Sequence, residues 1–75
     1  MNTIELRDQI IEAVYLKELP LSGFEISQQI MLQRGDKWWQ GPGYGTLYRA
    51  LDRLTKDGQL ERIKLSGGRC VYDFA

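Results

Sequence analysis

The chain has 75 residues, 43% of them hydrophobic and 27% charged, with ten basic against ten acidic side chains and no histidine. A chain this short buries only roughly 60% of its unfolded surface, so a deep enclosed substrate cavity is not expected. No apolar run approaches the roughly 20 residues of a bilayer span, the charged N-terminus is not a signal peptide, and a single cysteine without histidine excludes a disulfide framework, a Cys/His metal site and a His-based catalytic triad.

The first helix is expected over about 3–18. Asn2 with Glu5 three residues on makes a capping arrangement, and Ile4, Leu6, Ile10, Ile11, Ala13 and Val14, with Tyr15 at the margin, recur near helical spacing. Arg7, Asp8, Glu12 and Lys17 look outward, and Pro20 stops the helix. A second helix, about 22–34, opens on the capping box Ser22-Gly23-Phe24-Glu25; Phe24, Ile26, Ile30 and Met31 or Leu32 supply its inward side, and Gly35 ends it. In the loop that follows, Trp38 and Trp39 are adjacent, so at least one is expected to cap the core while the other stays exposed.

A third helix, about 44–57, starts within Gly43-Tyr44-Gly45 and is capped by Gly58. Leu47, Ala50, Leu51 and Leu54 fall on one side of its wheel, and Arg49, Asp52, Arg53 and Lys56 on the other. Tyr48 lies on the flank, where its ring can pack or its hydroxyl can reach outward. Beyond Gly58 the period changes from helical to alternating. Two strands, about 60–65 and 69–74, flank Ser66-Gly67-Gly68, whose glycines suit the positive φ angles of a tight hairpin. Cys70 reads as a small apolar strand residue.

The neutral total conceals a division. Residues 1–33 carry two basic and five acidic side chains, whereas residues 34–72 carry eight basic and four acidic ones. Such a split permits a basic face on an uncharged protein. Helix, helix, loop, helix and hairpin, packed as one domain over 1–75, give a mainly α (α+β) winged helix-turn-helix. In that layout the helix before the hairpin is placed to enter a DNA major groove, and the hairpin, or wing, lies against the backbone.

The glycine-rich start of the third helix lacks the lysine and the preceding strand of a nucleotide-binding loop. It suits a DNA phosphate instead. Gly43 and Gly45 allow close backbone approach to the open N–H groups of a helix N-terminus, and Tyr44, Thr46 and Tyr48 bring hydroxyls. Arg49 and Arg53 are expected at base edges, with Lys56 farther along; Lys64 and Arg69 would hold the flanking backbone from the wing.

"GTLYRALDRL", with "KDGQLER" and "GGRCVYDF" after it and "LSGFEISQQI" and "WW" before it, resembles the PadR-like winged-helix regulators over nearly the whole chain. Thr46-Leu47-Tyr48 followed by Leu51, Leu54 and Gly58 is the most specific part. The resemblance implies a transcriptional repressor that binds double-stranded DNA as a dimer on a palindromic operator; a cytoplasmic location is expected from the missing span and signal peptide, and no cofactor is expected. Members of that family continue past the wing into a long dimerising helix, whereas this sequence stops at Phe74-Ala75. A minimal DNA binder is therefore expected, of the kind used by mobile elements, plasmids or phages, with a homodimer made through helix 1 or through a C-terminal segment absent here. The wing is also less basic than the family's, with Cys70 and Val71 where charged or aromatic residues are common, so its grip on DNA is expected to be weaker. An enzyme is disfavoured because no nucleophile–base pair or metal set can be assembled. The alternative is a winged-helix protein-interaction adaptor, motivated by the neutral charge, the acidic first helix and a second, exposed tryptophan.

Overall fold

The computed structural model describes residues 3–75. Among these residues the elements run α1 (Thr3–Lys17), α2 (Gly23–Arg34), α3 (Tyr44–Lys56), β1 (Leu60–Lys64), a single 3-10 turn over Ser66–Gly68, and β2 (Cys70–Phe74). The expected Asn2 cap and the expected inward Ile4 side chain lie outside the residues and side chains described.

Leu6, Ile10, Ala13 and Val14 form the buried stripe of α1, Ile26 and Ile30 that of α2, and Leu47, Ala50, Leu51 and Leu54 that of α3. These stripes share one core with Leu21, Leu60 and Tyr72, against which Ile11 and Trp39 pack from the edge. Only α3 divides cleanly into an apolar and a polar side, α1 and α2 carrying apolar residues outside their buried stripes as well; all three are too short to stand alone, so burial of the three stripes together supplies the stability that propensity does not. Tyr15 and Leu16, by contrast, are exposed.

Helix ends follow from local chemistry. At the end of α1, Glu18 takes φ 56°, an unusual left-handed conformation for a residue with a side chain, and Pro20 follows two positions later. Both halves of the capping box form at the start of α2: the Glu25 N–H donates to Ser22 Oγ at 3.2 Å, and the Ser22 N–H donates to Glu25 Oε1 at 3.0 Å. Gly35 closes α2 at φ 73°, donating its N–H to the Leu32 carbonyl.

One expectation for α2 fails, and of the alternatives Met31 and Leu32 only Met31 turns partly inward. Phe24 is exposed, because as the second residue of the helix it lies on the side turned toward the α3 entrance; Met31 is half-buried and Leu32 is 74% exposed. The buried stripe of α2 is thus narrower than its apolar residues, with Ser27 filling a core position by donating its hydroxyl to the Phe24 carbonyl at 2.6 Å.

β1 and β2 pair antiparallel, with Leu60 opposite Phe74, Arg62 opposite Tyr72 and Lys64 opposite Cys70. The connection closes through the Leu65 N–H to the Arg69 carbonyl at 2.7 Å, and both Gly67 and Gly68 have positive φ. Leu21 adds a one-residue bridge to the outer edge of β2 by exchanging both backbone bonds with Tyr72, at 3.0 and 2.7 Å. This bridge, absent from the expectation, anchors the wing to the α1–α2 connection. Helices α1, α2 and α3 with this hairpin make a winged helix-turn-helix.

Candidate nucleic-acid interface

The outer face of α3 presents Thr46, Arg49, Asp52, Arg53 and Lys56 to solvent, one helix-width away from Leu47 and Leu51, which are fully buried. The periodicity that buries one side of α3 therefore fixes the other as a surface. Two of the charges on it are engaged. Arg53 Nε sits 3.5 Å from Asp57 Oδ2 one turn on, and Asp52 pairs with Arg62 of β1. Arg49 and Lys56 have no ion pair among the described residues.

Arg62 does more than neutralise Asp52. Its Nε donates to the Tyr72 hydroxyl at 3.3 Å and its guanidinium lies over the Tyr72 ring, 5.5 Å from the centroid. Since Tyr72 is also bound to Leu21, a chain of contacts from α3 through β1 to β2 holds the wing against the helix. Periodicity gave no sign of this latch, because it depends on the register of the hairpin.

No side chain caps α3. The N–H groups of Thr46 and Leu47 both turn to the Gly43 carbonyl, at 3.0 and 3.1 Å, and those of Tyr44 and Gly45 have no acceptor among the described residues. Gly43 and Gly45 lack a positive φ, and a Cβ at either would meet nothing within 4 Å. Neither backbone conformation nor internal packing requires glycine there, although Gly45 costs the helix up to about 1 kcal/mol relative to alanine.

The three hydroxyls expected at this end separate into different roles. Ser27 Oγ already donates to the Phe24 carbonyl, so at 3.2 Å it accepts from the Tyr44 hydroxyl, whose proton is thereby used inside the protein. The side chain is nonetheless 39% exposed. Tyr48 is 43% exposed, and its ring lies directly over Gly23 at the start of α2: a Cβ on Gly23 would come within 2.6 Å of three Tyr48 atoms. Thr46 is exposed, and it is the expected hydroxyl that neither of these packing arrangements uses.

The two tryptophans divide. Trp39 is half-buried, its indole N–H donates to the Pro42 carbonyl at 2.6 Å, and its ring lies so close over Gly41 that a Cβ there would sit 2.4 Å away. Trp38 is 64% exposed. Trp39 stacks on Tyr44 with centroids 6.1 Å apart, and Tyr44 on Phe24 at 6.4 Å, giving a ladder of three rings across the entrance of α3. Helical spacing alone places Phe24 on the inward side of α2; its place in the ladder emerges only when the α2 and α3 N-termini meet.

On the wing, Lys64 and Arg69 are exposed, and Cys70 is half-buried. An open groove of about 730 Å³ runs between the start of α2, α3 and the wing, lined by Glu25, Tyr48, Arg62 and Arg69 among others. The Glu25 carboxylate is held below its usual range, first by the Ser22 N–H and then by the Ser22 hydroxyl, with the positive charges of Arg69 and Lys17 adding to the effect and partial burial opposing it. Among the described residues no three His, Cys, Asp or Glu side chains converge to hold a metal, and no helix is long and apolar enough to cross a membrane.

No protein-family model matches this sequence, and no curated protein matches it either. Solved structures do. The ferric uptake regulator of Vibrio cholerae, a protein with DNA-binding domains, superposes with TM-score 0.75 at 24% identity, over 93% of this chain and 50% of its own. The ferric uptake regulator of Helicobacter pylori gives 0.76 at 21% identity, over 95% of this chain and 45% of its own. A transcriptional regulator from Clostridium thermocellum gives 0.70 at 28% identity, over 92% of this chain and 65% of its own. The chain spans about half the length of the ferric uptake regulators it matches.

Proposed function

We propose that the chain is a sequence-specific double-stranded DNA-binding module of a transcriptional regulator, with α3 in the major groove and the wing on the flanking backbone. The observation that carries this reading is the build of α3. A fully buried stripe backs an exposed one bearing Arg49, Arg53 and Lys56, and its uncapped start carries two glycines that nothing inside the protein requires. Close approach of a phosphate explains glycine at both places, since the open N–H groups of Tyr44 and Gly45 and the positive end of the helix dipole are there to receive it. The solved structures lend support, because regulators from three bacteria share the fold.

In this reading Thr46 and Tyr48 meet phosphates, and Tyr44 contributes its ring and braces the helix start. Arg49 reaches a base edge, guanine being the commonest arginine target. Arg53 reaches another once it exchanges Asp57 for DNA, and Lys56 follows the backbone. Lys64 and Arg69 hold the flanking phosphates. Repression, non-enzymatic action and the PadR-like affinity of Thr46-Leu47-Tyr48, Leu51, Leu54 and Gly58 belong to the proposal. So does pairing with a second copy, for which Leu19 and Leu32, 63% and 74% exposed, offer apolar surface outside α3.

Selection from a randomised duplex pool followed by sequencing tests the reading. Arg49→Ala should lose about 1–3 kcal/mol of discrimination at one base pair, while Arg69→Ala should weaken all sequences alike and flatten the salt dependence. Wild-type protein that selects no motif and shows no salt-dependent retention would remove the DNA reading and favour an adaptor that uses its exposed apolar side chains.

A further inference from the structure

We propose that the aromatic ladder at the entrance of α3, made by Phe24, Tyr44 and Trp39, together with the exposed Trp38 next to it in sequence, stacks on unpaired bases, so that the protein prefers duplex DNA bordered by a single-stranded segment to fully paired duplex. The inference rests on the DNA reading above and specifies which form of DNA the site takes. Its basis is a surface that the folded chain leaves uncovered. Phe24 and Trp38 are 58% and 64% exposed, and the ladder of Trp39, Tyr44 and Phe24 holds its rings within 28° of parallel at successive separations of 6.1 and 6.4 Å. With Tyr44 stacked between Trp39 and Phe24, the flat apolar surface left for a base is that of Phe24 at the end of the ladder and of the exposed Trp38, of the kind sequence-tolerant single-strand binding uses.

The ladder is built in advance. The Trp39 indole is tied to the Pro42 carbonyl, Gly41 lets the backbone pass beneath the ring, and the Tyr44 hydroxyl is tied to Ser27. Little side-chain freedom is therefore lost when a base arrives.

Charge selects the partner. Of the nearby acids, Asp36 is neutralised by Arg34 at 3.1 Å, while Glu25 keeps its charge and turns one carboxylate oxygen to the Ser22 N–H. Lys37, beside Trp38, and Arg49, one turn into α3, have no ion pair among the described residues and are exposed. An apolar surface flanked by unneutralised cations suits a polyanion that carries aromatic rings. It would oppose a basic protein partner.

The test compares a blunt duplex bearing the selected site with the same duplex carrying a four-nucleotide thymidine tail on either end, followed by anisotropy of labelled DNA. Quenching of the Trp38 and Trp39 emission provides a second readout. The tail on the end that faces the ladder should tighten binding about 10-fold, in the range expected for one or two stacked bases, and should quench the emission. Phe24→Ala and Trp38→Ala should each remove most of that gain without altering affinity for the blunt duplex, and Trp38→Phe should retain it. Both side chains are exposed, and a circular dichroism spectrum verifies that each variant is folded. Equal affinity for blunt and tailed duplexes, or a tail effect that survives both alanine variants, would overturn the inference while leaving the duplex reading intact. Binding to the tail without measurable affinity for any blunt duplex would sustain the inference and overturn the duplex reading instead.

Discussion

Gly23→Ala measures how the first turn of α2 is joined to the Tyr48 flank of α3. A Cβ at residue 23 would lie 2.6 Å from the Cε1, Cζ and Oη atoms of Tyr48, well inside van der Waals contact. Gly23 does not have a positive φ, so alanine itself is compatible with the backbone. The entire penalty therefore comes from the tyrosine ring. Overpacking of this kind costs about 1–3 kcal/mol in a closed core; because Tyr48 is 43% exposed, its ring can swing into solvent, and the cost should fall near the lower bound, about 1 kcal/mol. In a Tyr48→Ala background the clash is absent, and replacing glycine should instead stabilise by about 0.4–1 kcal/mol through the unfolded chain. The unfolded-chain gain is the same in both backgrounds, so the coupling between the two sites is the clash itself, about 1 kcal/mol. Urea unfolding of the four proteins followed by circular dichroism, with a common m-value, provides the measurement. Equal effects of Gly23→Ala in both backgrounds would refute the account of why glycine occupies this position.

Three further outcomes follow from the same geometry. Leu51→Ala, at a fully buried position, should cost about 2–5 kcal/mol. For 75 residues that is a large share of a total stability of order 4–11 kcal/mol, and a thermal melt should move down by about 8 °C or more, on the order of 4–8 °C per kcal/mol. Asp52→Ala frees Arg62 and removes one of the two negative charges, with Asp57, amid Arg49, Arg53 and Lys56; stability should change by less than about 1 kcal/mol because both partners are solvated, while DNA affinity rises and its salt dependence steepens. Ser22→Ala removes the α2 cap and should cost about 1 kcal/mol at neutral pH in a denaturant titration.

The sequence made the fold legible where one physical rule acted alone. Leu47, Ala50, Leu51 and Leu54 obey a helical period and nothing else, and they are buried as that period requires. Gly67 and Gly68 take the positive φ that a tight connection demands, and Ser22 with Glu25 forms the capping box that its spacing announces. Where two rules competed, apolar character misled. Phe24 and Leu32 are as hydrophobic as Ile26 and Ile30, yet α2 touches the core along a stripe only wide enough for the latter pair. The candidate site divides in the same way. The exposed basic face of α3 is the complement of its buried stripe and could be read from the wheel. The pairing of Asp52 with Arg62, the bond from Tyr44 to Ser27 and the stacking of Phe24 on Tyr44 join residues 10, 17 and 20 positions apart, and no local pattern encodes those meetings. They appear only when the hairpin register and the crossing of α2 and α3 are known.

Glu25 brings the fold and the candidate interface under a single titration. Its carboxylate closes the capping box at the start of α2, lines the groove that faces the wing, and feels the positive charges of Arg69 and Lys17. Its folded pKa is depressed, so its contribution to stability is fully present above the unfolded carboxylate value and is lost as pH falls through the lower, folded one. Glu25→Ala should therefore destabilise the protein at pH 7, with the difference from wild type shrinking on acidification below about pH 4.5. Because Arg69 also contributes to the depression, Arg69→Ala should narrow that window from the acid side, and DNA phosphate bound at Arg69 should narrow it in the same sense by neutralising the guanidinium. Urea midpoints measured between pH 3 and 7 for wild type, Glu25→Ala and Arg69→Ala test this. A difference between wild type and Glu25→Ala that persists undiminished at pH 3 would show that the cap acts through packing and not through its charge.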